Sequence, residues 1–482
     1  PAGGPAVPGV PKPKPGGGLL PGQGKTPKPG QTKPGAGKPA NSPEVKPKPV
    51  DKKKLPDGFK PAKPDHPAFT TDAEWVIDPL PDREARLQKN QFSSLLTSGT
   101  FAVNDEEKNK QVKLISDVVK VRLAAFTLKD NRETVQDLRL ALLKEIARNG
   151  RKADTGKQEV RQETITAILK ELPELMKYHF IARLNGVLLL AELNEFEADG
   201  TINQPAVPLT AAHDPLLEVL RDAEQLDAIR LPAVTGLRRI LSDVPELKSA
   251  VRYKIVEELV KQLDASKQGT SEWFQYRLAE SLGAAAVLDN QNRQPVVIDA
   301  LGRLLIDTNR PRLARVEAAY SLAKLPLTNK VNVDKIAIEV ARLAHELATQ
   351  YQSEGPSTLW NIIFYKLYVV FKPVEETEVK RGWGLVSQTS AKAQLKTSKP
   401  RVDEVFGLVL PIIKAAVVKR DAQALETNVG KLSTWLATYP PDAKPFIEGG
   451  AAMPVPKSVA AATPPSPEPQ GTGAAGARAK PE

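Results

Sequence analysis

The sequence predicts an all-α fold held between two disordered tails. Three observations lead there. Apolar residues in the middle of the chain recur with helical period. The breaks between these stripes are short and carry Pro, Gly, Asn or Asp. Both ends are crowded with Pro and Gly and poor in large apolar side chains.

The first element is the tail over residues 1–67. Of the 43 Pro and 31 Gly in this 482-residue chain, 18 and 12 fall there, with 13 Lys, no Arg and four acids. That places +9 of the net +11 in one stretch and leaves +2 for the folded middle. Leu19, Leu20, Leu55, Phe59 and scattered Val offer too little apolar area to offset a backbone ordering cost of roughly 1–2 kcal/mol per residue. Pro-Lys runs such as Pro11 to Pro15 favour extended polyproline II, and their like charges repel, so the segment reads as a charged spacer. Residues 446–482 hold seven Pro with balanced charge and read as a second disordered tail. Glu74 to Leu80 reads as a short extended piece.

From Asn104 the helices follow in order. Val112, Ile115, Val119, Leu123 and Phe126 form one stripe after an acidic start. Val135, Leu138, Leu142 and Ile146 form the next, stopped by Asn149-Gly150. Leu247, Val251, Ile255, Leu259 and Leu263 repeat every four residues; Phe274, Leu278 and Leu282 follow, and the pattern runs on to Leu432 and Leu436. No stretch reaches the ~18–20 apolar residues of a membrane span.

A submotif recurs along these helices: an apolar residue, Arg, an aliphatic, small residues, then Leu. The Arg positions are Arg122, Arg183, Arg230, Arg277 and Arg315, spaced by 61, 47, 47 and 38 residues; Asp222 and Asp307 each stand eight residues before an Arg. The fullest copy runs from Ala314 to Leu325. These residues resemble HEAT repeats over roughly 110–350. The resemblance implies pairs of antiparallel helices stacked as an α–α superhelix over 68–445. It also implies a ladder in which an inter-helix Asp and an Arg opening the second helix link neighbouring units. The small residues after the Arg would let second helices pack closely. Pro232 inside a second helix is expected to kink it. The 61-residue step from Arg122 to Arg183 implies an insertion, and the Gly200 to Thr210 loop shows that insertions are tolerated.

Composition excludes much chemistry. With no Cys there is no disulfide, thiolate metal site or cysteine nucleophile. His66, His179, His213 and His345 share no ligand spacing, and His345-Glu346 lacks the second His of a zinc protease helix, Thr349 standing in its place. Gly150 to Gln158 fails as a phosphate loop in glycine spacing, in Gln158 at the magnesium position and in the helix that precedes it. The sequence therefore predicts no catalytic residue, cofactor or metal, and a non-enzymatic role.

Two stretches are candidates for partner binding. Leu359 to Phe371, with Trp360, Phe364 and Tyr368, reads as a buried helix with the alternative that one face docks a partner. Lys372 to Pro400 reads as a long loop whose Lys380, Arg381 and Trp383 are placed to meet a sugar, base or peptide ring. The expected function is a scaffold or protein-binding module with the lysine tail as spacer or tether. The alternative is a polyanion-binding protein, attaching weakly to nucleic acid or an acidic cell-surface polymer through residues 1–67. Absence of Cys beside a Pro-Lys spacer predicts export to the periplasm or cell surface, with a cytoplasmic placement as the alternative.

Overall fold

The computed structural model describes residues 72–77, 81–266 and 270–455. The tail expectations for 1–67 and 456–482, and His66, lie outside them. The described chain is mostly α-helix, with one two-stranded antiparallel sheet, β1 (Asn194–Phe196) on β2 (Val207–Pro208). No helix among the described residues is long and apolar enough to cross a membrane. Residues 72–77 form no strand. Instead Trp75 is buried, stacks on Tyr178 at 6.0 Å and donates its N–H to Thr127 Oγ1 at 2.7 Å.

The helices are α1 (Asp82–Ser98), α2 (Asp105–Ala124), α3 (Val135–Ile146), α4 (Glu159–Leu175), α5 (Phe180–Glu192), α6 (His213–Arg221), α7 (Asp227–Asp243), α8 (Ser249–Ala265), α9 (Glu272–Ala284), α10 (Val296–Ile306), α11 (Arg312–Lys324), α12 (Val333–Glu354), α13 (Thr358–Phe371), α14 (Glu376–Lys380), α15 (Leu385–Ala391), α16 (Lys399–Ile413) and α17 (Ala422–Ala437). Several starts carry the oxygen that an open helix end needs. Asn104 accepts from Glu106 N–H, Asn332 from Lys335 N–H, and Asp421 from Ala424 N–H.

Packing follows an alternating order. Helices α3, α5, α7, α9, α11 and α13 each contact the next in one row. Helices α6, α8, α10 and α12 form a second row, and α6–α7, α8–α9 and α10–α11 pack across. The β1–β2 hairpin interrupts the alternation between α5 and α6. The apolar core lies between the rows. Its densest member is α11, in which every residue from Leu313 to Ala323 is buried. Close approach within the row needs small residues: a Cβ on Gly283 of α9 would stand 2.5 Å from Ser321 Oγ of α11. Helix α7 runs through Pro232 without ending.

Two sequence expectations are corrected. Lys372–Pro400 is not a structureless loop; it holds α14, α15 and a 3-10 turn at Ala393–Ser398. Gly384 makes that docking possible. Its φ is +88°, its N–H donates to Ala323 O at 3.0 Å, and a side chain there would meet Phe371 O. Gln388, buried, then donates to the last carbonyls of α11, Ala323 O at 2.8 Å and Leu325 O at 3.0 Å.

Residues 446–455, expected to be tail, are packed on the body. Phe446 is fully buried against Gly302, and Asn332 N–H donates to Phe446 O at 2.8 Å. Ala451 N–H donates to Asp299 at 2.9 Å. Phe446, Ile447 and Met453 are the buried apolar residues of this strap.

Candidate functional site

Three of the five arginine positions share one register within their helices. The fourth residue of α5, α7, α9 and α11 is Arg183, Arg230, Gln275 and Arg315, and the residue seven further on is a buried Leu in each: Leu190, Leu237, Leu282, Leu322. Arg230 donates to Leu220 O at the end of α6 and to the Gln262 side chain of α8. Arg315 donates to Leu305 O at the end of α10 and, through both terminal nitrogens, to Glu346 of α12 at 2.7 and 2.9 Å. Each guanidinium thus closes an open helix end and reaches the next helix of the other row. Arg183 donates to Tyr178 O at 2.5 Å.

Gln275 holds the third rung by accepting from Arg310, which also donates to Leu263 O at 3.2 Å, the end of α8. Arg277 lies two residues past this register and pairs with Glu280 at 2.5 Å; Arg122, in the last turn of α2, pairs with Glu145 at 2.5 Å. Asp222 and Asp307 do not bond the arginines eight residues on. They turn the chain between helices, accepting from Glu224 N–H and Asn309 N–H at 3.0 Å each. Burial pulls Arg183 and Arg230 below the ordinary arginine value, and the Asp222 charge opposes it in both.

The aromatic candidates separate. Trp360 and Phe364 are buried among Tyr351 and one another and are closed to a partner, whereas Tyr368 is half-buried against Phe406. Lys380 is exposed and paired with Glu376 at 2.7 Å. The exposed aromatic residues of the row lie elsewhere: Trp273 on α9, 50% exposed, and Tyr365 on α13. Trp273 borders a cavity of about 400 Å³ with Leu188, Leu231, Pro232, Arg239 and Arg277. The histidines stay apart. His179 caps α5 and contacts Thr127 O, His213 opens α6, and His345 lies within α12.

Trp383 and Arg381 end a chain of alternating rings and cations. Lys366 lies 5.6 Å from the Tyr276 ring and 4.5 Å from Tyr320; Lys324 lies 4.8 Å from Tyr320 and 4.7 Å from Trp383; Arg381 lies 5.1 Å from Trp383. Helices α9, α13 and α11 supply the first members, and the turn after α14 the last. The Trp383 ring is therefore already engaged by two cations. At the other end Glu317, fully buried, pairs with Lys366 at 2.9 Å, and Glu378 accepts the Tyr320 hydroxyl proton. Burial alone would lower the Lys366 pKa, but Glu317 carries it above the ordinary lysine value. Burial, with the Glu317 charge, pushes the Tyr276 phenol up to about 12. Burial and the Glu378 bond push Tyr320 up, while burial pulls Lys324 down.

Beyond Trp383 opens a cavity of about 410 Å³. It lies where α7, α9 and α11 end, and its charged lining residues are Arg252, Lys324, Arg381 and Lys392. Arg252 donates to Ala285 O at 2.7 Å, and Lys392 to Leu327 O at 3.2 Å and Gln388 at 2.6 Å. Sequence reasoning found Arg381 and Trp383 but missed Lys324, Lys392 and Arg252. Glu317, an acid inside the otherwise small and apolar run Val316 to Ala319, asks for a buried cation and so points to Lys366, not to these three. No family model matches this chain, and neither does any curated protein or solved structure.

Proposed function

We propose that this chain is a non-enzymatic scaffold, a HEAT-like α–α superhelix that binds a protein partner along the outward side of its α5–α13 row. The observation that carries the reading is the row itself, five helices in unbroken contact with Trp273 and Tyr365 left exposed on it. Stacked helix pairs present extended surfaces, and aromatic residues on such surfaces anchor interfaces. The closure of helix ends by Arg230 and Arg315 supports the repeat reading, since one bond pattern recurs at the same position of two units, with Gln275 standing there in the unit between them. The lysine-rich residues 1–67 serve as the spacer or tether, in keeping with an exported protein.

The test is site-specific photocrosslinking in the native cell. Benzoylphenylalanine at Trp273 and at Tyr365 is expected to capture the same protein, and at Val418, exposed after α16, to capture none. Different captures at the two row positions, or equal capture at Val418, overturn the reading. The second reading, polyanion attachment through residues 1–67, rests on the +9 of that stretch. It predicts retention on an anionic matrix that salt abolishes and that deletion of 1–67 removes.

A further inference from the structure

We infer that the cavity at the ends of α7, α9 and α11 is a seat for an acidic peptide segment, held by Arg252, Lys324, Arg381 and Lys392. The inference rests on the scaffold reading, to which it adds the chemistry of the partner.

Charge is the first argument. Four cations line one cavity of about 410 Å³, and none of its lining residues is acidic. The neighbouring carboxylates are committed elsewhere, Glu317 to Lys366 and Glu378 to the Tyr320 hydroxyl. Like charges gathered in a concave, partly desolvated place repel, and an anionic guest relieves that repulsion. Arg252 spends one nitrogen on Ala285 O, which leaves further N–H donors of its planar fork for a carboxylate. Lys324 and Arg381 are held over the Trp383 ring, so both ammonium and guanidinium are positioned before any guest arrives.

The second argument separates a peptide from a free phosphate. Three helices end at this cavity, and a helix C-terminus presents carbonyl oxygens with partial negative charge. Compact phosphate anions are commonly held by clustered backbone N–H groups, as at helix N-termini. Here the backbone side of the cavity is built from the opposite ends. The carbonyls at these ends already accept from Arg252, Gly384, Gln388 and Lys392, so the cavity offers a guest its side-chain cations, and the carboxylates of an acidic peptide meet them. The cavity lies beside the same row that bears Trp273, because α7, α9 and α11 are consecutive members of it.

The experiment is fluorescence anisotropy of fluorescein-labelled hexaglutamate on the full chain. Lys324→Met with Arg381→Gln is expected to weaken binding about tenfold or more. Arg381→Gln alone, at an exposed side chain that folding does not need, is expected to weaken it about threefold. Replacing the lysines of residues 1–67 by Gln is expected to leave the cavity-dependent part in place, and inorganic phosphate is expected to compete poorly. Peptide binding should also change the fluorescence of the wild type, with the change lost in Trp383→Phe. Unchanged affinity in the double variant, loss of all binding with the tail lysines, or phosphate competing as well as glutamate peptides each overturns the assignment. None of these outcomes touches the crosslinks expected at Trp273 and Tyr365, so the scaffold reading stands or falls separately.

Discussion

Helices α11 and α17 are of similar length and differ in almost everything else. In α11 eleven consecutive residues are buried, Arg315 and Glu317 among them; in α17 only Leu425 and Leu432 are. Helix α11 has α9 and α13 on either side in its own row and α10 and α12 across, whereas α17 packs on α12 and α16 and faces outward elsewhere. A helix with neighbours on all sides cannot use water to satisfy its polar groups, so every one must find a protein partner. The charged residues of α11 are accordingly tied to fixed partners, Arg315 to Glu346 and Glu317 to Lys366. At the edge, Trp435 of α17 can keep its ring half-exposed beside Tyr439 and give its N–H to Glu404 at 2.8 Å.

The comparison breaks most easily at the buried ion pair. Lys366→Met leaves Glu317 charged and enclosed, and is expected to lower unfolding free energy by about 3–5 kcal/mol in urea titrations. Adding Glu317→Leu should recover most of that loss; failure to recover would mean that the pair does more than neutralise itself. Next comes the paired truncation of two fully buried leucines. Leu322→Ala in α11 is expected to cost about 4 kcal/mol and Leu432→Ala in α17 about 2, because an edge site can collapse into the space left behind. Equal costs would erase the contrast between the two helices.

A smaller effect should follow alkali. Lys366 and the Tyr276 phenol hold their protons to higher pH in the folded chain than when unfolded. The folded state therefore binds more protons above pH about 10, and stability falls as pH rises through that range. The contribution of Lys366 is full below the unfolded lysine value of about 10.4 and is lost as pH climbs through its raised folded value. Denaturation curves from pH 8 to 11 should show the decline, shallower in Lys366→Met. The smallest effect belongs to the exposed side of α17, where Thr434→Ala should change stability by less than about 0.5 kcal/mol.

What could be read from the chain tracks the same division. The stripes of Ile115, Val119 and Leu123, or of Ile255, Leu259 and Leu263, are legible because each helix shows its neighbours one apolar face, and all six residues are buried. Lys372–Pro400 was opaque because α14 and α15 are short and polar and are held by distant groups, Gln388 and Gly384 on the end of α11. The strap at 446–455 was opaque for the same reason, with its partners Asp299, Gly302 and Asn332 more than a hundred residues upstream. In the candidate site, Trp383 and Arg381 stood out as an aromatic residue beside cations. Lys324 and Lys392 did not, since a lysine near a helix end is ordinary until three ends are brought to one place.

The third rung carries a consequence for how such chains change over time. At Gln275 the guanidinium comes not from the helix but from Arg310, in the turn between α10 and α11, and the carbonyl at the end of α8 receives its hydrogen bond all the same. A stack that depends on the supply of donors, and not on which letter supplies them, can exchange residues between helix and turn without penalty.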